Sequence, residues 1–236
     1  MNARVRRIIT TRRGGASTGK YDSFNLGEHV GDEPAAVRAN RRRLAEKLGM
    51  DEGNFVWMDQ VHGTRVVRVK SAPGGAVPGT DAVVTDQPNL ALSVLTADCV
   101  PVLAADETAG VIGAAHAGRK GSSDGIVPAL IAAMESLGAQ PERITVLLGP
   151  AASGDFYELP EQMVADTESV LPGSRSTTTS GTPSVDLRKG LTRQLASLGV
   201  TEVDTDPRCT IADPELYSYR REGTTGRLAS VIVRQV

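Results

Sequence analysis

The chain has 236 residues, 40% of them hydrophobic, enough to bury a substantial core, and we expect one domain spanning 1–236. A formal net charge of −2, with 26 basic against 28 acidic residues, leaves no electrostatic footprint for nucleic acid or for an anionic membrane surface. Two cysteines cannot build a disulfide framework, no stretch approaches the roughly 18 apolar residues of a membrane helix, and the basic start lacks a signal peptide's apolar run. A soluble, cytoplasmic, monomeric protein without nucleic-acid or membrane partners is the expectation.

Taken in chain order, residues 4–10 read as a first strand, followed by a loop marked by Gly14, Gly15 and Gly19. Gly14 to Lys20 imitates the start of a phosphate-binding loop, but Tyr21 stands where a magnesium-holding hydroxyl should, and no helical pattern follows. Asp32 as N-cap, Pro34 in the first turn and Val37, Leu44 and Leu48 at helical spacing predict an amphipathic helix ending at Gly49. Strands are predicted at 55–58, 64–69, 81–85, 90–95, 100–104 and 110–115. The last lacks polar residues altogether and reads as buried on both faces.

Gly118, Gly121 and Gly125 then lead to a helix through Ile126, Leu130 and Met134, and residues 144–148 return as a buried strand. A helix over 162–170 precedes a Ser/Thr/Gly-rich segment at 172–183, expected as a mobile surface loop. Residues 186–198, closed by Gly199, predict the last helix, followed by strands near 200–203, 216–219 and 228–233. Gly223 to Gly226 should turn a terminal hairpin. With aromatic content of only 3%, the core must come from aliphatic residues, which suits a layered α+β protein.

The chain has three histidines. His62 lies in Gln60-Val61-His62-Gly63, Cys99 in Thr96-Ala97-Asp98-Cys99-Val100-Pro101, and His116 in Ala114-Ala115-His116-Ala117-Gly118. Two imidazoles and a thiolate form a catalytic zinc set with a fourth position open for water or substrate, and the metal brings bound water to a pKa of about 7. Structural zinc sites use four protein ligands at short paired spacings, and no second such pair occurs here. Spacing alone favours two hydrogen-bonded histidines and a buried free cysteine over a metal site.

These motifs, with Ser218-Tyr219-Arg220-Arg221, Thr225-Gly226-Arg227 and the early Asn25-Leu26-Gly27, His29 and Gly31-Asp32, resemble the YfiH-type laccase-domain family, also called the polyphenol oxidase family. The resemblance runs over essentially the whole chain and implies a layered α/β/β/α domain with zinc held by His62, Cys99 and His116. It further implies phosphorolysis of adenosine, inosine and methylthioadenosine, adenosine deamination, older reports of copper-dependent phenol oxidation, and peptidoglycan editing for some members. Two departures stand out. Arg119-Lys120 replaces the usual Trp-Arg after the second histidine, and Ala151-Ala152-Ser153-Gly154 with Phe156-Tyr157-Glu158-Leu159 replaces the usual segment near 150.

For phosphorolysis, the partners are a nucleoside and phosphate, and the site must bind an anion and stabilise a departing base. We expect Arg41, Lys120 and amides after Gly121 to bind the anion, Asn25 to contribute to substrate binding, and Asp98 to orient a histidine or shuttle a proton. His29 and Cys209 are expected to be structural. Copper is the alternative metal, with Met58 as an axial ligand, but three histidines cannot build a multicopper cluster. A further alternative is metal-free amide hydrolysis by a Cys99–His116 pair, and the remaining class is a noncatalytic binding module.

Overall fold

The computed structural model describes residues 4–235. Its elements are β1 (Arg4–Ile9), α1 (Pro34–Leu48), β2 (Phe55–Val56), β3 (Val66–Arg68), β4 (Ala82–Thr85), β5 (Ala91–Thr96), β6 (Val100–Asp106), β7 (Val111–Ala117), α2 (Arg119–Asp124), α3 (Ile126–Glu135), β8 (Thr145–Leu148), α4 (Glu161–Val170), β9 (Arg175–Thr177), β10 (Pro183–Val185), α5 (Leu187–Ser197), β11 (Glu202–Thr205), α6 (Tyr219–Glu222) and β12 (Leu228–Gln235).

Two mixed sheets result, one ordered β1-β12-β5-β2 and the other β11-β8-β6-β7-β4-β3, with β9 and β10 forming a separate two-stranded ribbon. Side-chain alternation assigns each strand face to a layer. Leu92 and Val94 of β5 and Ile232 of β12 meet Leu103 and Ala105 of β6 and Ile112 and Ala114 of β7 between the sheets. Ala91, Leu95, Val231 and Val233 turn the other way, onto Leu44 and Leu48 of α1. Beyond the larger sheet, Val100, Val102, Val111 and Ala115 pack under Leu130 and Met134 of α3 and Leu191 and Leu195 of α5. The expected α/β/β/α layering is therefore present, and the strands lie in its two inner layers. No helix among the described residues is long and apolar enough to cross a membrane.

Local chemistry explains most element ends. Gly49 closes α1 in the left-handed conformation at φ 65°, where its N–H reaches back to the Ala45 and Glu46 carbonyls. Asp186 caps α5 by accepting from the Lys189 N–H. At α1, however, the N-cap is Glu33, and Asp32 instead accepts from the Ser17 hydroxyl and the Asn25 amide, bracing the early loop.

Two further expectations change. The 172–183 segment contains β9 and the start of β10, and the Thr178 hydroxyl accepts from the Thr182 N–H at the ribbon's tip. The terminal hairpin is absent because residues 216–219 do not form a strand. Leu216 and Tyr217 are buried, Ser218 caps α6 by accepting from the Arg221 N–H, and β12 pairs with β1 and β5.

Candidate active site

Three segments remote in sequence meet at one end of the sheet sandwich. His116 is the penultimate residue of β7, on the face that Ile112 and Ala114 present between the sheets. Cys99 lies in the sharp connection from β5 to β6, and His62 in the loop after β2. One ligand atom from each of His62, Cys99 and His116 lies within 4.8 Å of the other two. The imidazole rings of His62 and His116 are 4.7 Å apart, edge to face, and His62 Nε2 is 3.9 Å from Cys99 Sγ.

The carboxylate that organises this trio is Asp81, a residue the sequence did not single out. It is fully buried, and its Oδ1 accepts from His116 Nδ1 at 2.9 Å and from the His62 backbone N–H at 2.9 Å. Its Oδ2 accepts from the Val61 and Gly63 N–H groups at 3.1 and 2.7 Å. These bonds hold His62 at φ 60°, a backbone region uncommon for a side-chain-bearing residue. Gln60 pins the same loop to β5 through paired bonds with the N–H and carbonyl of Leu95, both 2.8 Å.

Asp98 does something else. Its φ is 97°, its Oδ1 accepts from the Thr210 hydroxyl and its Oδ2 from the Arg220 N–H, both at 2.6 Å. It therefore ties the Cys99 turn to the start of α6, and the histidine-orienting position expected for Asp98 is filled by Asp81. An acid at the head of the buried 81–85 run was the available signal, because such a carboxylate must find several donors.

Electrostatically, burial opposes a Cys99 thiolate, but the charge of His116 and hydrogen bonds from both imidazoles outweigh it and bring the thiol down to about 6. Burial likewise opposes a charged His116, but the Cys99 thiolate and Asp81 outweigh it, and the imidazole is raised. Thiolate character is what metal ligation requires.

The donor set fits a divalent ion. Two imidazoles and a thiolate are a zinc-binding combination, and Nδ1 of His116 is fixed on Asp81, leaving Nε2 free to ligate. Gly118 supplies the room. A Cβ there would lie 2.9 Å from His62 Cδ2 and 3.0 Å from Cys99 Sγ.

Above the trio opens a cleft of about 360 Å³, with Tyr157, Tyr219, Arg220 and Arg227 among its lining. His29, expected to be structural, also lines it. Cys209 accepts from the Ser153 N–H, consistent with a structural part.

Asn25, Arg41 and Lys120 do not line the cleft. Asn25 is buried and bonded to the early loop and to the Arg227 N–H. Arg41 stacks on Trp57 at 4.1 Å, pairs with Glu28 and donates twice to the Leu26 carbonyl. Lys120 is exposed and pairs with Asp124 one turn along α2. The amides after Gly121 sit inside α2, where the Ser122 N–H already donates to the Gly118 carbonyl. Met58 is packed between the sheets and does not line the cleft.

A layered α/β/β/α fold with a His/Cys/His cluster under an open cleft defines the class, and residues 6–235 match the family described as multi-copper polyphenol oxidoreductase laccase; the chain belongs to it. Among its relatives, a purine nucleoside phosphorylase of Corynebacterium glutamicum is 57% identical over 98% of this chain and 95% of its own length. A purine nucleoside phosphorylase of Mycobacterium tuberculosis is 54% identical over 98% and 93%. The crystal structure of YlmD from Geobacillus stearothermophilus superposes with a TM-score of 0.92 at 33% identity, covering 98% of this chain and 92% of that one. A Neisseria meningitidis protein of the DUF152 family gives 0.89 at 36% identity, with both chains fully covered.

Proposed function

We propose that this protein is a zinc-dependent purine nucleoside phosphorylase acting on adenosine, inosine and methylthioadenosine, with adenosine deaminase activity at the same site. The observation that carries the reading is the convergence of His62, Cys99 and His116 beneath an open cleft, in a chain more than half identical to proteins named purine nucleoside phosphorylase.

His62, Cys99 and His116 would hold the ion, which when bound supplies a Lewis acid and a place to activate water. The chain's own residues account for the rest. Asp81 fixes the His116 tautomer and the His62 backbone, so neither imidazole has to reorganise during turnover. Tyr157 and Tyr219 offer aromatic surface for a planar base, and Tyr219, 59% exposed, stands where a ligand would cover it. Asp98 holds the Cys99 turn against α6 and so sets the width of the cleft between Cys99 and Arg220.

The test is a panel of adenosine, inosine and methylthioadenosine, with and without phosphate, on protein whose metal content is measured in the same sample. Phosphate-dependent release of sugar 1-phosphate, ammonia from adenosine, and zinc near one per chain are expected. Cys99→Ala should lose both metal and turnover. Full nucleoside turnover by that variant, or a wild-type protein that holds copper and oxidises phenols while leaving nucleosides intact, would overturn the reading.

A further inference from the structure

Among the described residues Arg220 and Arg227 are the arginines that line the cleft, and neither has a carboxylate within ion-pair distance. Three arginines nearby that do not line it are paired: Arg12 with Glu222, Arg41 with Glu28, and Arg221 with Glu222. The one carboxylate lining the cleft among the described residues, Asp98, has both oxygens committed, to the Thr210 hydroxyl and the Arg220 backbone N–H.

Arg227 is the more constrained of the two. Burial lowers its pKa, partly offset by the Cys99 and Asp98 charges, so the protein holds a desolvated guanidinium at the edge of the cleft. Its Nη1 donates to the Thr225 and Gly226 carbonyls at 2.9 and 3.1 Å. Its stem packs on the early loop so closely that a Cβ on Gly27 would fall 2.8 Å from Arg227 Cγ. Nε and Nη2 have no protein acceptor among the described residues. Arg220 is held on three sides: its backbone by Asp98, its Nη1 by the Glu158 carbonyl at 3.0 Å, and its guanidinium over the Tyr157 ring at 4.9 Å. A partly desolvated cation with no ion-pair partner costs free energy, and two held guanidinium groups lining one cleft offer the fork geometry that suits a tetrahedral oxyanion.

We propose that Arg220 and Arg227 form the seat for inorganic phosphate, the position for which the sequence had suggested Arg41 and Lys120. The proposal rests on the phosphorolysis reading for its role in turnover. A phosphate oxygen forms the new bond to the anomeric carbon as the carbon–nitrogen bond breaks. The electron pair of that bond leaves with the purine, and the proton carried by the attacking phosphate ends on the base. The two arginines fix the phosphate and supply no proton. Two lost charge-assisted bonds correspond to at least about tenfold in affinity.

The experiment uses the metal-loaded full chain and two readouts. In steady-state kinetics, Arg227→Gln and Arg220→Gln should each raise the KM for phosphate at least about tenfold, with the KM for inosine within about twofold of wild type. Arg227→Lys, which keeps the charge and loses the fork, should fall between. In thermal unfolding, inorganic phosphate should raise the wild-type midpoint above that in chloride of equal ionic strength, and the Gln variants should lose the increment. If wild-type protein phosphorolyses nucleosides and both Gln variants keep its phosphate KM, the seat is elsewhere and the proposal falls while the reading stands. If no nucleoside is phosphorolysed but phosphate stabilises wild type and not the variants, the seat stands and the reading falls. Should Arg227→Gln fail to fold, the exposed Arg220→Gln decides between these outcomes.

Discussion

Four hydrogen bonds end on the Asp81 carboxylate, one from the His116 ring and three from consecutive backbone N–H groups around His62. One buried group thus holds two of the three residues that could hold a metal ion. Asp81→Asn keeps the size but places an NH2 group against N–H donors. We expect zinc affinity to fall about 10–100-fold in competition with a chelator, the range seen when such supporting carboxylates are changed. Unchanged zinc affinity would mean that the ligands hold their orientation without it. At this scale the donor types of the cluster were legible, since imidazole and thiolate are metal-binding groups wherever the fold brings His62, Cys99 and His116 together. The supporting carboxylate was not. Asp98 adjoins Cys99 in sequence, but at φ 97° its side chain reaches Thr210 and α6, whereas Asp81, 35 positions before His116, reaches the ring.

Among the elements, the periodic ones were readable and the irregular ones were not. The helix through Val37, Leu44 and Leu48 ends at Gly49 as expected, because helical spacing and a left-handed glycine are local properties. The expected hairpin at 223–226 failed for a nonlocal reason: Tyr217 is buried with its hydroxyl donating to the Tyr21 carbonyl, which holds residues 216–219 away from any strand. A comparable long-range anchor is Asp106 at the end of β6. It accepts from the Ala109 N–H in the turn to β7, from the Gln140 N–H ahead of β8, and from the Arg143 guanidinium. Burial opposes its charge, but Arg143 and those amides outweigh burial and keep the carboxyl below its ordinary pKa. A depressed carboxyl pKa stabilises the fold above the unfolded value of about 3.9, and the contribution disappears as pH falls through the folded value. Asp106→Asn should therefore lose about 1.5–3 kcal/mol at pH 7 in urea unfolding. The difference from wild type should shrink towards zero below about pH 4, near the unfolded carboxyl value, and a deficit that stays constant with pH would show that the charge is not involved.

Across the whole molecule, the two sheets share one inner layer, so Leu103 of β6 and Leu92 of β5, both fully buried, contribute to the same core. Leu103→Ala should cost about 2–5 kcal/mol and leave a single unfolding transition by fluorescence and circular dichroism. Two separated transitions would show that the sheets unfold independently. The sequence by itself determined the secondary-structure alphabet, the layered class and the donor types of His62, Cys99 and His116, because hydrophobic period and side-chain donor type are carried within short windows. Only the tertiary structure decided that Arg220 and Arg227 face the cleft while Arg41 and Lys120 are paired away from it, and that Asp81 serves the histidines. The direction of a side chain at a strand end or in a loop depends on partners remote in sequence, as when the Arg227 N–H bonds Asn25 across a separation of 202 positions. Local periodicity carries no information about such pairings.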